Sequence, residues 1–349
     1  AYNGCRMQYT RLGNTGFIVS RMAFGSMTFG SDTRFPSVTK VGLDGARALV
    51  SRSLDAGINF FDTADGYAQG QSEVMLGGLL RDRRNDVVIG TKVGFRSGDP
   101  ITQAGLSRRH VLMSCDASLK RLQTDFIDLY IVHKEDRFTT LHETLEALND
   151  LVRAGKVRYI GFSNWSAWKA ASAFRIQNER GWAKFTSGQM YYSLLGRDVE
   201  DEIVPFLQYC HLGMTVWSPL AGGFLSGKYT RENLKDKENR LSGADFLPYD
   251  KEFAFKLVQK LREIAGRRNA TVAQVSLAWL LAKPVVSSII IGATKLQQLD
   301  DNLKAVDVEL SGAEAAELDA MTAPQPMYPN WFNAITTDVK HKESLKGGV

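Results

Sequence analysis

Between Met22 and Ile291 the chain repeats one pattern: a short apolar run, a polar break, then a longer stretch with apolar residues at helical spacing. Such alternation is the signature of a parallel sheet wrapped by amphipathic helices. Before it, 7–24 alternates in the manner of a hairpin, with turn signals at Gly13-Asn14 and Gly16, and leads into a first strand at 22–25. Further strands are predicted over 58–61, 87–91, 127–132, 157–162, 186–191, 214–218 and 285–291. Helices are predicted over 44–56, 72–81, 107–122, 140–154, 165–179, 200–209, 272–282 and 296–305. The first of these puts Ala46, Leu49, Val50, Ser53 and Leu54 on one face, and Ser72 is the expected N-cap of the second. Two more helices, over 250–268 and 311–321, lie outside the repeat. About 30 polar residues after Gly223, rich in Lys and Asp, predict a long loop. Eight strand–helix units predict an α/β fold, a (β/α)₈ barrel with an N-terminal hairpin and extra C-terminal helices. Residues 1–323 are expected to form that single domain. Residues 324–349, aromatic at first (Tyr328, Trp331, Phe332) and then polar, are expected to be a partly disordered tail.

The composition fits this picture without sharpening it. Of 349 residues, 44% are hydrophobic and 23% charged, ordinary for a globular protein. Apolar runs fall far short of the ~20 residues of a membrane span, and the first residues lack the apolar core of a signal peptide. Cys5, Cys115 and Cys210 are widely spaced, which suits free thiols in a reducing, cytoplasmic setting. The net charge of +5 is spread out, with small clusters at 81–84 and 267–268 that read as solvated helix ends rather than a nucleic-acid surface. A mild positive field favours an anionic cofactor.

The polar residues that end these strands carry the chemistry. Asp62 follows the strand at 58–61, with Tyr67 in the loop beyond it. Lys92, His133 and the pair Ser163-Asn164 end the next three strands. The C-terminal rim of a barrel is where such a fold keeps its reaction. A phenol, with a reference pKa near ~10, becomes a useful acid when an ammonium stabilises its anion, and a carboxylate holds that ammonium in place. A histidine donates a hydrogen bond to a carbonyl oxygen or joins the proton relay. Asp62, Tyr67, Lys92 and His133 therefore suit polarisation and protonation of a C=O group. None is an evident nucleophile, metal set or electron carrier, so the hydride must come from a bound cofactor. Met27, Phe29, Phe95, Trp165 and Tyr192 are candidates for the substrate pocket.

The motifs Asp62-Thr63-Ala64-Asp65-Gly66-Tyr67, Gly155-Lys156-Val157-Arg158-Tyr159-Ile160-Gly161-Phe162-Ser163-Asn164 and Trp217-Ser218-Pro219-Leu220-Ala221-Gly222-Gly223 resemble the aldo-keto reductase superfamily. The similarity runs from about Met7 to Met321. Continuing as Phe224-Leu225-Ser226-Gly227-Lys228-Tyr229, the last motif is similar to the branch holding potassium-channel β-subunits and bacterial reductases. The resemblance implies a catalytic tetrad at Asp62, Tyr67, Lys92 and His133. It implies that Ser163, Asn164 and Gln189 hold the nicotinamide carboxamide and that Trp217 packs on the ring. Ser218, Leu220, Gly222, Ser226 and Lys228 would line the pyrophosphate, with Arg240 toward the adenine. In the adenosine segment, Gly292, Thr294, Lys295, Gln298, Asp301 and Asn302 occupy the contact positions. The Lys and Arg that many members direct at the 2′-phosphate are here Gly292 and Gln298, leaving Thr294 and Lys295 to compensate. NADPH is the implied cofactor, with NADH as the alternative.

Two other readings belong to different classes. One is a cofactor-binding interaction or regulatory subunit with incidental turnover, which an assay on carbonyl compounds separates from an enzyme. The other is a glycosidase-type barrel using Asp62 and Glu73, which leaves Lys92, Ser163, Asn164 and Gln189 without a purpose. The expected partner is a small-molecule carbonyl substrate, with no nucleic acid and no membrane.

Overall fold

An antiparallel hairpin, β1 (Tyr9–Arg11) and β2 (Ile18–Ser20), opens the computed structural model, which describes residues 7–236, 241 and 245–344. Arg240 and Cys5 lie outside the described residues. Eight parallel strands follow: β3 (Met22–Gly25), β4 (Phe60–Asp62), β5 (Val88–Val93), β6 (Ile127–Val132), β7 (Val157–Ser163), β8 (Phe185–Tyr191), β9 (Gly213–Trp217) and β10 (Val286–Ile291). They pair in chain order and β10 returns to β3, closing a barrel.

The helices form the outer layer: α1 (Leu43–Asp55), α2 (Gln71–Leu80), α3 (Arg108–Leu122), α4 (Leu141–Arg153), α5 (Ala167–Arg180), α6 (Ile203–Tyr209), α7 (Lys251–Arg268), α8 (Val272–Leu281), α9 (Leu296–Leu303) and α10 (Gly312–Met321). Side-chain caps fix several starts, because a cap residue stays outside the helix it satisfies. Ser107, Thr140 and Asp250 accept from the backbone N–H three residues on. Thr271 with Gln274 and Ser311 with Glu314 form reciprocal capping boxes.

Alternation along the strands divides the apolar side chains between two cores. One lies between strands and helices. The other fills the barrel, where Leu12, Phe17 and Val19 of the hairpin meet Phe60, Val88, Leu129 and Ile131. Phe17 stacks on Tyr159 at 4.3 Å. Phe60 and Val88 begin their strands, so the hairpin plugs the N-terminal mouth and leaves the opposite rim for polar groups.

Several expectations need correction. Ser72 is not an N-cap: α2 starts at Gln71 after the left-handed Gly70, and the buried Ser72 hydroxyl contacts Ser26 and Thr63. The described part of the tail carries two short helices, α11 (Asn330–Thr336) and α12 (Val339–Ser344). Local ring contacts among Tyr328, Trp331 and Phe332, and an Asn330 amide donating to Asp201 O at 3.1 Å, give the first of these helices its anchor. The polar loop contains a short turn at Asn233–Lys235. Cys115 is buried and Cys210 only half-buried.

Candidate active site

Register brings the first three groups together. Asp62, at the end of β4, lies beside Gly90 of β5, and Lys92 stands two residues further on the same inward face. The Lys92 side chain is fully buried. Its Nζ donates to Asp62 Oδ1 at 2.6 Å, Thr63 O at 2.6 Å and Tyr67 Oη at 3.3 Å, using all three ammonium protons. Burial works against that charge, but the Asp62 carboxylate and then Tyr67 outweigh it and raise the Lys92 pKa above its ordinary value. The second Asp62 oxygen accepts from Gln189 Nε2 at 2.9 Å. Tyr67 is half-buried and is followed by three left-handed residues, Ala68, Gln69 and Gly70, which return the chain from the rim to α2.

His133 caps the end of β6 and its N–H donates to Val93 O at 2.8 Å. Its ring meets Tyr67 edge-on at 5.9 Å and Phe95 at 4.6 Å. Burial first, then Lys92 and Lys134, depress its pKa well below the usual imidazole value, so it is neutral. Nδ1 is buried without a partner among the described residues. A proton on Nε2 leaves only a lone pair unpaired at Nδ1, less costly than a buried orphan N–H.

A polar belt continues along the rim. Asn164, in a left-handed conformation, donates to His133 O and Ser163 Oγ at 3.0 Å each and accepts from Trp217 Nε1 at 3.0 Å. Ser163 Oγ donates to Gln189 O at 2.7 Å. Trp217 is half-buried, 5.2 Å from the Tyr191 ring and 6.3 Å from that of exposed Phe246.

After β9 the backbone turns through left-handed positions at Ser218, Ala221, Gly222, Gly223 and Gly227. Ser218 Oγ accepts from Gly222 N at 3.1 Å, and Ser226 Oγ donates to Gly223 O at 2.8 Å. A Cβ on Gly223 would come within 3.3 Å of Lys228 Nζ. Leu220 lies within this turn, just before Ala221. Clustered left-handed residues turn backbone N–H groups to one side and form an anion-binding concavity, and an ammonium beside it fits a phosphate.

Beyond β10, Gly292 and Lys295 are exposed. Thr294 N and Oγ1 both donate to Gln298 Oε1, at 3.0 and 3.1 Å. Asp301 accepts from Thr271 Oγ1 at 3.0 Å and Gln274 Nε2 at 2.8 Å, which commits it to the start of α8, and Asn302 is buried. Arg240, expected at the adenine end, lies outside the described residues.

The candidate pocket residues fall into two groups. Met27 is half-buried and Phe95 exposed beside His133. Phe29, Trp165 and Tyr192 instead pack in the outer layer, against Phe24, against Phe162 and Phe185, and against Trp279 respectively. Gln189 faces inward, so Tyr191 shares its face and Tyr192 points away. Period-two spacing from Gln189 was the available signal for Tyr191. Thr63, acting through its carbonyl, and Phe246, set in an irregular loop, left no such signal.

The model of the aldo/keto reductase family matches residues 21–323. The chain is similar to a probable voltage-gated potassium channel subunit beta of Oryza sativa subsp. japonica, 37% identical over 318 residues, 86% of this chain and 92% of the relative. Versiconal hemiacetal acetate reductase of Aspergillus parasiticus is 33% identical over 346 residues, 93% and 99% of the two chains. The uncharacterized oxidoreductase YrpG of Bacillus subtilis (strain 168) is 37% identical over 315 residues, 87% and 92%.

Proposed function

The chain belongs to the aldo/keto reductase family of NAD(P)H-dependent oxidoreductases, and from that premise we propose that it reduces an aldehyde or ketone to the alcohol, reversibly, with NADPH preferred and Tyr67 as general acid. One observation carries this reading: a buried ammonium, Lys92, joins the Asp62 carboxylate to the Tyr67 hydroxyl.

When bound, the reduced nicotinamide supplies the hydride. Tyr67 donates its proton to the carbonyl oxygen as that oxygen gains charge, and Lys92 stabilises the phenolate left behind. Asp62 keeps Lys92 charged and in place, and Gln189 fixes the second Asp62 oxygen. Neutral His133 donates a hydrogen bond toward the same carbonyl oxygen. Ser163, Asn164 and Gln189 are the side chains for the carboxamide, with Trp217 as the wall of the ring site. The left-handed loop at 218–227 with Lys228 suits the pyrophosphate, and Thr294, Lys295 and Gln298 remain for the adenosine end. Met27 and Phe95 are the proposed substrate contacts.

The test is initial rates on a panel of aldehydes and ketones with NADPH and NADH in parallel. Turnover with NADPH is expected; binding of either cofactor without turnover of any carbonyl would overturn the assignment. The similarity to a probable channel subunit beta favours a second reading, a cofactor-binding interaction or regulatory subunit with incidental turnover. Slow turnover of every carbonyl despite tight cofactor binding would support that alternative.

A further inference from the structure

The loop that carries Tyr67 also buries a carboxyl that the reaction above does not use. Asp65 is 4% exposed and lies between Thr63, which accepts from Lys92, and Tyr67. Its N–H donates to Lys92 O at 3.2 Å and pins the loop to β5. Neither of its carboxyl oxygens has a hydrogen-bond partner among the described residues. The Glu73 carboxyl of α2 disfavours a charge on it, whereas Arg121 of α3, the Gly66 N–H and Lys92 of β5 favour one, and Asp65 in turn acts on the buried Tyr130 of β6. Glu73, fully buried, already takes Arg121 Nε and Thr91 Oγ1, each at 2.6 Å. Lys92 is committed to Asp62, Thr63 and Tyr67. One guanidinium therefore serves two buried carboxyls, and ionising both would leave an uncompensated buried charge. Asp65, whose buried oxygens have only the Gly66 N–H to favour an anion, holds a proton instead. Burial first, then Glu73, push its pKa up to about 7.

We infer that Asp65 is a positioning residue for the Tyr67–Lys92 pair, seating the Tyr67 loop as an uncharged carboxyl and unseating it when ionised. The inference rests on the carbonyl-reduction reading and deepens it. An ionised Asp65 needs water or a new cation, and the loop reaches either only by moving off the rim. That movement lengthens the 3.3 Å Lys92–Tyr67 contact. The anion also competes with Tyr67 for the Lys92 charge. Both effects slow proton donation and leave the loop at 218–227 untouched.

The experiment compares wild type, Asp65→Asn and Asp65→Ala in the pH profile of kcat, in NADPH affinity by fluorescence, and in the protonated-carboxyl band of difference infrared spectra. Wild-type kcat is expected to fall on the alkaline side of neutrality, with the infrared band disappearing over the same range. Asp65→Asn, which cannot ionise, should lack both the band and that fall. Asp65→Ala, with no group to seat the loop, should lose about tenfold to a hundredfold in kcat while NADPH affinity holds. Superimposed wild-type and Asp65→Asn profiles, or no Asp65 band at pH 6, would overturn the inference. A wild type inactive on every carbonyl sinks the functional reading instead; the infrared band then decides separately whether Asp65 holds its proton.

Discussion

At the scale of single residues, the site depends on Lys92 having all three donors committed. Replacing Tyr67 by Phe removes the acid and one acceptor for that ammonium but leaves Asp62 and Thr63. Carbonyl reduction is therefore expected to fall ~10²–10⁴-fold, with NADPH affinity nearly unchanged in a fluorescence titration. A rate within a few-fold of wild type would remove Tyr67 from the chemistry. Cofactor discrimination rests on thinner means. Lys295 is the exposed cation at the start of α9, while Gln298 is occupied by Thr294. A charge-assisted contact contributes roughly 1.5–3 kcal/mol. Lys295→Ala is thus expected to weaken NADPH about tenfold or more, at ~1.4 kcal/mol per decade, and to spare NADH. Equal loss for both cofactors would show that Lys295 does not meet the 2′-phosphate.

At the scale of elements, helix contact is as closely set as the site. Gly77 on α2 faces the end of α3, where an added Cβ would lie 2.4 Å from Leu122 O and 2.5 Å from Leu122 Cα. Backbone cannot rotate away as a side chain does. Gly77→Ala is expected to push α2 off α3 at a cost of about 1–3 kcal/mol, read as a lower urea midpoint. An unchanged midpoint would mean that the two helices part without loss. The same pair holds Glu73 against Arg121 at 2.6 Å, so helix packing and the environment of Asp65 are one structural problem.

At the scale of the whole molecule, two features reach global stability. Leu12 is fully buried in the plug of the barrel. Leu12→Ala is expected to cost about 2–5 kcal/mol, with catalytic constants of the folded enzyme intact because the reaction lies at the other rim. A loss of activity without loss of stability would contradict that separation. The second feature is pH dependence. An unfolded Asp releases its proton near 3.8, whereas folded Asp65 holds it up to about 7. Between those values the folded state binds more protons, so stability from this group falls as pH rises, and the loss is complete above about 7. A change of that size corresponds to roughly 4 kcal/mol at ~1.4 kcal/mol per pH unit, an upper bound if the loop relaxes. His133 acts oppositely, since its depressed folded pKa removes stability as pH falls through the unfolded value near 6.5. Denaturation of wild type and Asp65→Asn from pH 5 to 8 isolates the first effect: the variant should gain stability relative to wild type as pH rises. A constant difference would show that Asp65 does not titrate in that window.

The strand–helix alternation and the groups Asp62, Lys92, His133 and Asn164 at strand ends were determined by the sequence alone. Side-chain alternation and helical spacing are local properties, and a closed parallel barrel converts successive strand ends into one rim. What only the tertiary structure decided depends on neighbours distant in the chain. Ser72 became a buried contact to Ser26 because β3 lies beside β4. Tyr192 packs on Trp279 in the outer layer, a contact between rings 87 positions apart. The tail became helical over 330–336 where Asp201 offered it an anchor. The state of Asp65 is decided the same way. Its carboxyl is ordinary in sequence, and its charge is set by burial first and then by Glu73, Arg121 and Lys92, which only folding brings around it.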